Sequence, residues 1–216
     1  MLLSDSIRNQ TAARLKALPN PVRLVVFTQE MECRFCGENR QLAEELSALS
    51  DKVKLEVYNL VTDAEKAKEF AVDKVPAVCV VGAKDYGIRF YGVRLGFEFS
   101  SLVAAIELVS DGDPHLKPET LQKLAGLAGP VELQVFATLT CPVCPLAVNL
   151  AHRLALASEK VTASVIDSAE FPQLANLYNV MAVPKTVVNK RHAFEGALPE
   201  DRFVEEVLKG TAASGT

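Results

Sequence analysis

Four of the five cysteines fall in two Cys-x-x-Cys pairs, Cys33/Cys36 in ECRFCGEN and Cys141/Cys144 in TCPVCPLA. Sulfurs three residues apart on a turn can reach bonding distance. Such a pair can serve as a working disulfide couple, a fixed staple or half of a tetrahedral metal site. Each pair follows an apolar run, VRLVVF or VELQVF, and leads into an amphipathic, helix-like stretch. That order sets the first cysteine at a helix N-terminus, where unpaired N–H groups and the positive dipole end favour an anion. The species favoured is thiolate, the nucleophilic form. Pro142 suits a first helical turn because its missing N–H would be unpartnered there, and Pro145 is still early enough not to break the helix.

The pairs lie 108 residues apart, and the same step carries Pro76 of KVPAVCVV onto Pro184 of AVPKTVVN. Both prolines follow a valine and stand 40 residues beyond the second cysteine of their pair. Asn59 at the end of KLEVYN likewise lands on Asp167 at the end of TASVID. The chain is an internal duplication of domain-sized period.

The elements that must position the cysteines are read from periodicity. Strands are expected at Val22–Phe27 and Val53–Val57, with an amphipathic helix between them presenting Leu42, Leu46 and Leu49. A short helix over Ala64–Phe70, a third strand opened by Pro76, a turn near Gly82, a fourth strand and a helix over Ser101–Val109 complete the first unit. The second unit repeats this with strands at Val131–Phe136 and Val161–Val165, helices at Phe171–Tyr178 and Glu200–Lys209, and a turn near Asn189. Extra helices are expected at Ser6–Leu18 and from Pro118 to Gly126 or Gly129, and the tail GTAASGT is expected to fray. The break at Asp111-Gly112-Asp113-Pro114 divides the chain into units 1–113 and 114–216. A length of 216 residues gives each unit about 100, enough to bury its own core.

A net charge of −4 argues against a duplex nucleic-acid surface and a polybasic membrane patch. Without a signal-like N-terminus or an apolar run of about 18 residues, the expected location is the cytoplasm, with no membrane association. Five cysteines fall far short of a disulfide-stapled secreted scaffold.

Duplicated Cys-x-x-Cys units, each with a Val-Pro 40 residues on, resemble the tandem thioredoxin-fold protein disulfide oxidoreductases, also described as glutaredoxin-like proteins. The resemblance spans essentially the whole chain and extends to the glycine-containing segment Gly92–Phe99. It implies an α/β fold of two tandem thioredoxin-like units, each a mixed sheet flanked by helices, with Pro76 and Pro184 as cis-prolines against the sulfurs. It also implies disulfide-containing protein substrates, a thioredoxin reductase as electron donor, and no cofactor beyond the redox-active disulfides.

On this reading the chain is a protein-disulfide reductase or oxidoreductase acting through Cys33, Cys36, Cys141 and Cys144, with isomerase activity within its reach. Cys141 attacks a substrate disulfide and Cys144, more shielded, resolves the mixed disulfide. Val75 and Val183, extended because each precedes proline, offer backbone to a substrate strand in a groove with Pro76 and Pro184. Lys185 and Arg34 are candidate tuners of thiol acidity. Glu30 and Glu32 oppose Arg34 beside Cys33, so Cys141 is expected to be the more reactive nucleophile. Cys79 reads as a buried strand residue, and His115, His152 and His192 as core or surface residues. No Gly-x-Gly-x-x-Gly follows a strand, so no dinucleotide site is expected.

Two other readings stand beside this one. The chain could be an electron carrier to a peroxidase, similar to the tandem module of alkyl hydroperoxide reductase flavoproteins, although there the first pair is expected to be degenerate. It could instead be a zinc-stabilised scaffold without turnover; each pair having its own proline and its own unit weighs against a shared metal, so none is expected. The direction of electron flow depends on reduction potentials that the residues do not set out.

Overall fold

The computed structural model describes residues 1–212. By contact, Met1–Arg94 and Leu102–Gly112 form one compact unit, while Leu95–Ser101 and the residues from Asp113 onward form another.

In the first unit α1 (Asp5–Lys16) precedes β1 (Val22–Thr28), α2 (Cys36–Ser47), β2 (Val53–Asn59), α3 (Ala64–Glu69), β3 (Ala77–Val81), β4 (Ile88–Tyr91) and α4 (Glu98–Asp111), which belongs to this unit from Leu102 onward. Ser4 caps α1 by accepting the Ile7 N–H. The sheet runs β2-β1-β3-β4. β1 is parallel to β2, with Val22 opposite Val53, and antiparallel to β3, with Val25 opposite Cys79. The apolar runs that made β1 and β3 legible are central strands whose side chains are covered on both faces: Leu24, Val25, Val26 and Phe27 are fully buried. Parallel pairing of β1 and β2 requires a crossover, and α2 supplies it by packing Leu42 and Leu46 onto the sheet.

The second unit repeats the order as α5 (Pro118–Ala125), β5 (Val131–Ala137), α6 (Cys144–Ala157), β6 (Val161–Asp167), α7 (Pro172–Leu177), β7 (Lys185–Val188), β8 (His192–Glu195) and α8 (Glu200–Ala212). Its sheet runs β6-β5-β7-β8, with β5 parallel to β6 and antiparallel to β7. Phe136 and Phe203 fill its core, each worth roughly 1.5–3 kcal/mol when buried.

Four features differ from the sequence expectation. Each main helix begins at the second cysteine of its pair, so the first cysteine occupies the turn before the helix. Pro142 therefore precedes α6, and Pro145 alone sits in the first turn. The last helix of the first unit starts earlier, at Glu98, and that of the second continues through Gly210 to Ala212. Only residues 213–216 of the tail lie outside the described residues.

The duplication is also not uniform in step. β1 and β5 start 109 residues apart, whereas the cysteine pairs and β2/β6 are offset by 108. Four residues, Gln29–Glu32, join β1 to Cys33, and three, Thr138–Thr140, join β5 to Cys141. Glu32 absorbs the extra residue with φ 58°. Among the described residues no helix is long and apolar enough to cross a membrane.

Candidate active site: the two cysteine pairs

In the second unit Cys141 and Cys144 are joined as a disulfide with Cα atoms 5.5 Å apart. The Cys144 backbone N–H, the first of α6, donates to Sγ of Cys141 at 3.1 Å. A helix-end N–H that would otherwise lack a partner is thus spent on the sulfur, and it stabilises negative charge there once the bond is reduced. Across from this turn the Val183 carbonyl oxygen lies 3.8 Å from the same sulfur, and the Val183–Pro184 bond is cis. Cys144 is fully buried and Cys141 is 7 % exposed, so Cys141 is the more accessible of the two.

The turn before Cys141 is held from outside its own sequence neighbourhood. Cys141 N–H donates to the Thr138 carbonyl at 3.1 Å, and the Phe97 N–H donates to the Leu139 carbonyl at 2.9 Å. The glycine-containing segment singled out by resemblance therefore serves this site. Gly96 has φ +57°, and a Cβ there would lie 2.4 Å from the Leu139 oxygen, so both conformation and space call for glycine.

In the first unit Cys33 and Cys36 form the corresponding disulfide, also with Cα atoms 5.5 Å apart. Cys36 is buried and Cys33 half-buried, and the Val75–Pro76 bond is cis. Asn39, one turn into α2 and buried, reaches from Nδ2 to the Ala77 carbonyl at 3.5 Å, linking the cysteine helix to the strand that Pro76 opens.

Beside Cys33 opens a cleft of about 480 Å³, lined in part by Glu30, Gly37, Arg40 and Tyr58. Arg40 and Tyr58 carried no motif signal; only their placement on α2 and β2, on the face turned to the cysteines, brings them here. A helical repeat from Cys36 to Arg40 was the one cue available.

Each candidate tuner has a contact of its own. Lys185 Nζ donates to the Asn179 carbonyl at 2.8 Å and lies 3.4 Å from Glu195 Oε1, and Arg34 stacks on Phe35 with its guanidinium carbon 5.0 Å from the ring centre. Cys79 is fully buried in β3, where desolvation pushes its thiol up to about 12, so it stays a neutral, inert hydrophobe. His192 pairs with Glu206 at 2.8 Å, and His152 is buried on α6 as a core residue. Asp167 Oδ1 accepts the Ala169 and Glu170 N–H groups, closing the turn after β6. No group of three or more His, Cys, Asp or Glu among the described residues is placed to hold a metal ion. Each candidate thiolate ligand is bonded to its own neighbour.

Two units, each with a four-stranded mixed sheet and a Cys-x-x-Cys disulfide in the turn before its main helix, define a tandem thioredoxin-fold redox protein. Residues 131–209 match the thioredoxin domain family. The chain is similar to a protein disulfide oxidoreductase from Aeropyrum pernix, with a TM-score of 0.91 and 28 % identity over 99 % of this chain and 95 % of that one. It is also similar to the N-terminal domain of alkyl hydroperoxide reductase from Enterococcus faecalis, with a TM-score of 0.87 and 25 % identity over 95 % of this chain and 99 % of that one. Curated relatives include a protein named NADH dehydrogenase from Bacillus subtilis, 26 % identical over 99 % of this chain and 40 % of its own length. An alkyl hydroperoxide reductase component from Staphylococcus aureus is 30 % identical over 87 % of this chain and 34 % of its own length. The chain spans about two fifths of the length of the first of these relatives, and less of the second.

Proposed function

We propose that the protein is a cytoplasmic thiol-disulfide oxidoreductase that exchanges dithiol for disulfide with protein substrates, using Cys33/Cys36 and Cys141/Cys144 as two redox couples. The observation that carries the reading is the environment of Cys141: one helix-end N–H on its sulfur, the Val183 carbonyl beside it, and a resolving sulfur fully buried behind it. In the reduced protein Cys141 thiolate attacks one sulfur of a substrate disulfide, and the other substrate sulfur leaves as thiolate and takes a proton. Cys144 then attacks Cys141 Sγ, releases the second substrate thiol and closes the couple, so two electrons have passed to the substrate. Val183, and Val75 in the first unit, offer backbone to an extended substrate segment in the grooves that Pro184 and Pro76 border. A thioredoxin reductase is the electron donor that the family resemblance supports.

Insulin reduction with dithiothreitol tests this. Wild-type protein should accelerate it, and the Cys33→Ser/Cys141→Ser double variant should fall to the uncatalysed rate; a double variant as fast as wild type would overturn the proposal. A second reading, electron delivery to a peroxidase, is favoured by the relatives named alkyl hydroperoxide reductase. It predicts that reduced protein is oxidised by a peroxidase disulfide far faster than by insulin.

A further inference from the structure

We propose that the first cysteine pair, once reduced, is a copper(I) site, with the Cys33 and Cys36 thiolates as two ligands and the Met31 thioether as a third. The inference rests on the exchange reading only in that a dithiol donor opens the disulfide in the cell; the donor gives two electrons and leaves as a disulfide itself.

The ligand set comes from the loop between β1 and α2. Met31 stands two residues before Cys33 and is 80 % exposed, a thioether held in solvent beside a redox pair. Two residues of chain span at most about 7 Å, and Glu32 between them is bent to φ 58°, which shortens the distance. A methionine side chain has three rotatable bonds, so its sulfur can reach a metal held at Cys33. Cys33 is half-buried and has room to turn, whereas Cys36 is buried at the start of α2; their Cα atoms are 5.5 Å apart. Two thiolates on one metal part by up to twice a metal–sulfur bond of roughly 2.3 Å, a span that rotation of the Cys33 side chain supplies.

The number and softness of these ligands select the metal. Zinc asks for three or four protein ligands, and among the described residues no group of three or more His, Cys, Asp or Glu is placed to hold a metal. Thiolate and thioether sulfur suit copper(I), which accepts a linear or trigonal shell. The cleft beside Cys33, bordered by both cysteines and Glu30, gives the metal a way in. Glu30 and Glu32 are exposed on either side of Met31 and favour the approach of a cation. The nearby guanidinium groups are engaged, Arg40 by Glu44 and Arg34 by the Phe35 ring.

The second pair offers a metal less. Two residues before Cys141 stands Leu139, which has no donor. Met181, 90 % exposed, lies two residues before Val183, on the opposite side of the groove. Yet Cys141 and Cys144 are both buried, and the Cys141 sulfur already has the Cys144 N–H at 3.1 Å and the Val183 carbonyl at 3.8 Å. A metal on that sulfur has to displace those neighbours.

Binding moves no electrons. Copper stays in the +1 state, the two thiols lose their protons to solvent, and the bis-thiolate complex carries one net negative charge. Neither sulfur can attack a disulfide while the metal is bound, so copper(I) withdraws the first couple from exchange and leaves the second in it.

The test uses full-length protein, reduced anaerobically with a phosphine, desalted, and titrated against copper(I) held by the chromogenic chelator bicinchoninate. Wild-type protein should take about one copper ion per chain from the chelator. Iodoacetamide labelling of the loaded protein, read by mass spectrometry, should be blocked at Cys33 and stay open at Cys141. Met31→Leu should weaken retention about tenfold, the lower end of what loss of a metal-site contact costs. Cys33→Ser/Cys36→Ser protein should hold copper at least about tenfold more weakly than Cys141→Ser/Cys144→Ser protein. No retention by wild type, protection of Cys141 instead of Cys33, or an unchanged affinity in Met31→Leu would overturn the inference. The phosphine opens the disulfides without the exchange reaction, so insulin reduction by metal-free wild type separates the two readings. Insulin reduced but copper not held overturns the copper site alone; copper held but insulin not reduced overturns the exchange reading alone.

Discussion

The backbone N–H of Cys144 donates to Sγ of Cys141 at 3.1 Å, the first amide of α6 being given to sulfur rather than to water. In the reduced protein that donor favours thiolate over thiol, so Cys141 should titrate below the ordinary cysteine value of about 8.5. The rate of iodoacetamide labelling against pH, read at Cys141 by mass spectrometry, should show a midpoint below that value. Cys144, fully buried, should label at least tenfold more slowly, the scale that loss of access gives. A Cys144→Ser variant should accumulate a mixed disulfide with substrate, and Cys141→Ser should accumulate none.

Lys185 stands next to Pro184, yet its ammonium is directed to the Asn179 carbonyl and Glu195. A charge already matched by a carboxylate exerts little net field on a third group. Lys185→Met should therefore move the Cys141 labelling midpoint by less than about half a pH unit. A downward or upward shift of a full unit would restore Lys185 as a tuner.

The cysteines, the two prolines and the order of strands and helices were legible because each rests on short-range pattern: apolar alternation, a three-residue cysteine spacing, a repeat of fixed step. What was not legible depends on placement. Nothing in RQLAEEL marks Arg40 as a cleft residue, because its role needs α2 packed against β2. The direction of the Lys185 side chain is settled by Asn179 and Glu195, which are six and ten residues away. The service of Gly96 to the Cys141 turn is a contact across 43 residues, and sequence distance hides it. Each main helix starts one turn later than the cysteine spacing predicts, for a local reason: Arg34-Phe35 and Pro142-Val143 form the turn that brings the sulfurs together, and the helical hydrogen bonds begin only after it.

Gly96 is predicted to be intolerant of even one added carbon. Its φ of +57° costs an L-residue about 1 kcal/mol, and the Cβ would meet the Leu139 oxygen at 2.4 Å, forcing that carbonyl to move. Gly96→Ala should lower stability by about 2 kcal/mol, read as a smaller urea midpoint at unchanged slope. Because Leu139 is two residues before Cys141, the same variant should slow labelling of Cys141 without slowing that of Cys33.

Cys79 should be silent in the native state. With both couples oxidised, it is the free cysteine of the chain, and burial holds its thiol near 12. A thiol reagent should therefore find none in native oxidised protein and one per chain after unfolding in guanidinium. Cys79→Ser would put a hydroxyl into the middle of β3 and should cost about 1–3 kcal/mol, whereas Cys79→Ala should cost less and preserve both redox couples.

The ion pair of Asp85 with Arg89 should make stability depend on acid in a defined sense. Arg89 is nearly enclosed, at 8 % side-chain exposure, and donates to the Phe70 carbonyl at 2.9 Å and to Asp85 Oδ1 at 2.8 Å; Asp85 also accepts the Gly87 N–H at 2.9 Å. Partial burial alone would raise the Asp85 carboxyl, but the guanidinium and the Gly87 amide outweigh it, and the net shift is downward. A folded-state value below the unfolded value of about 3.9 means that the pair's contribution is fully present above that pH. It is lost as pH falls through the folded value, when the carboxyl protonates and leaves Arg89 facing a neutral acid. Asp85→Asn should cost about 2 kcal/mol at pH 7, less than the ~3–5 kcal/mol of a fully buried pair because Asp85 is 32 % exposed. Urea unfolding of both proteins from pH 7 to pH 2 checks the sign: the gap between wild type and variant should stay constant down to about pH 4 and narrow below it. A gap that widened in acid would show that Asp85 is held neutral, not ionised, in the folded protein.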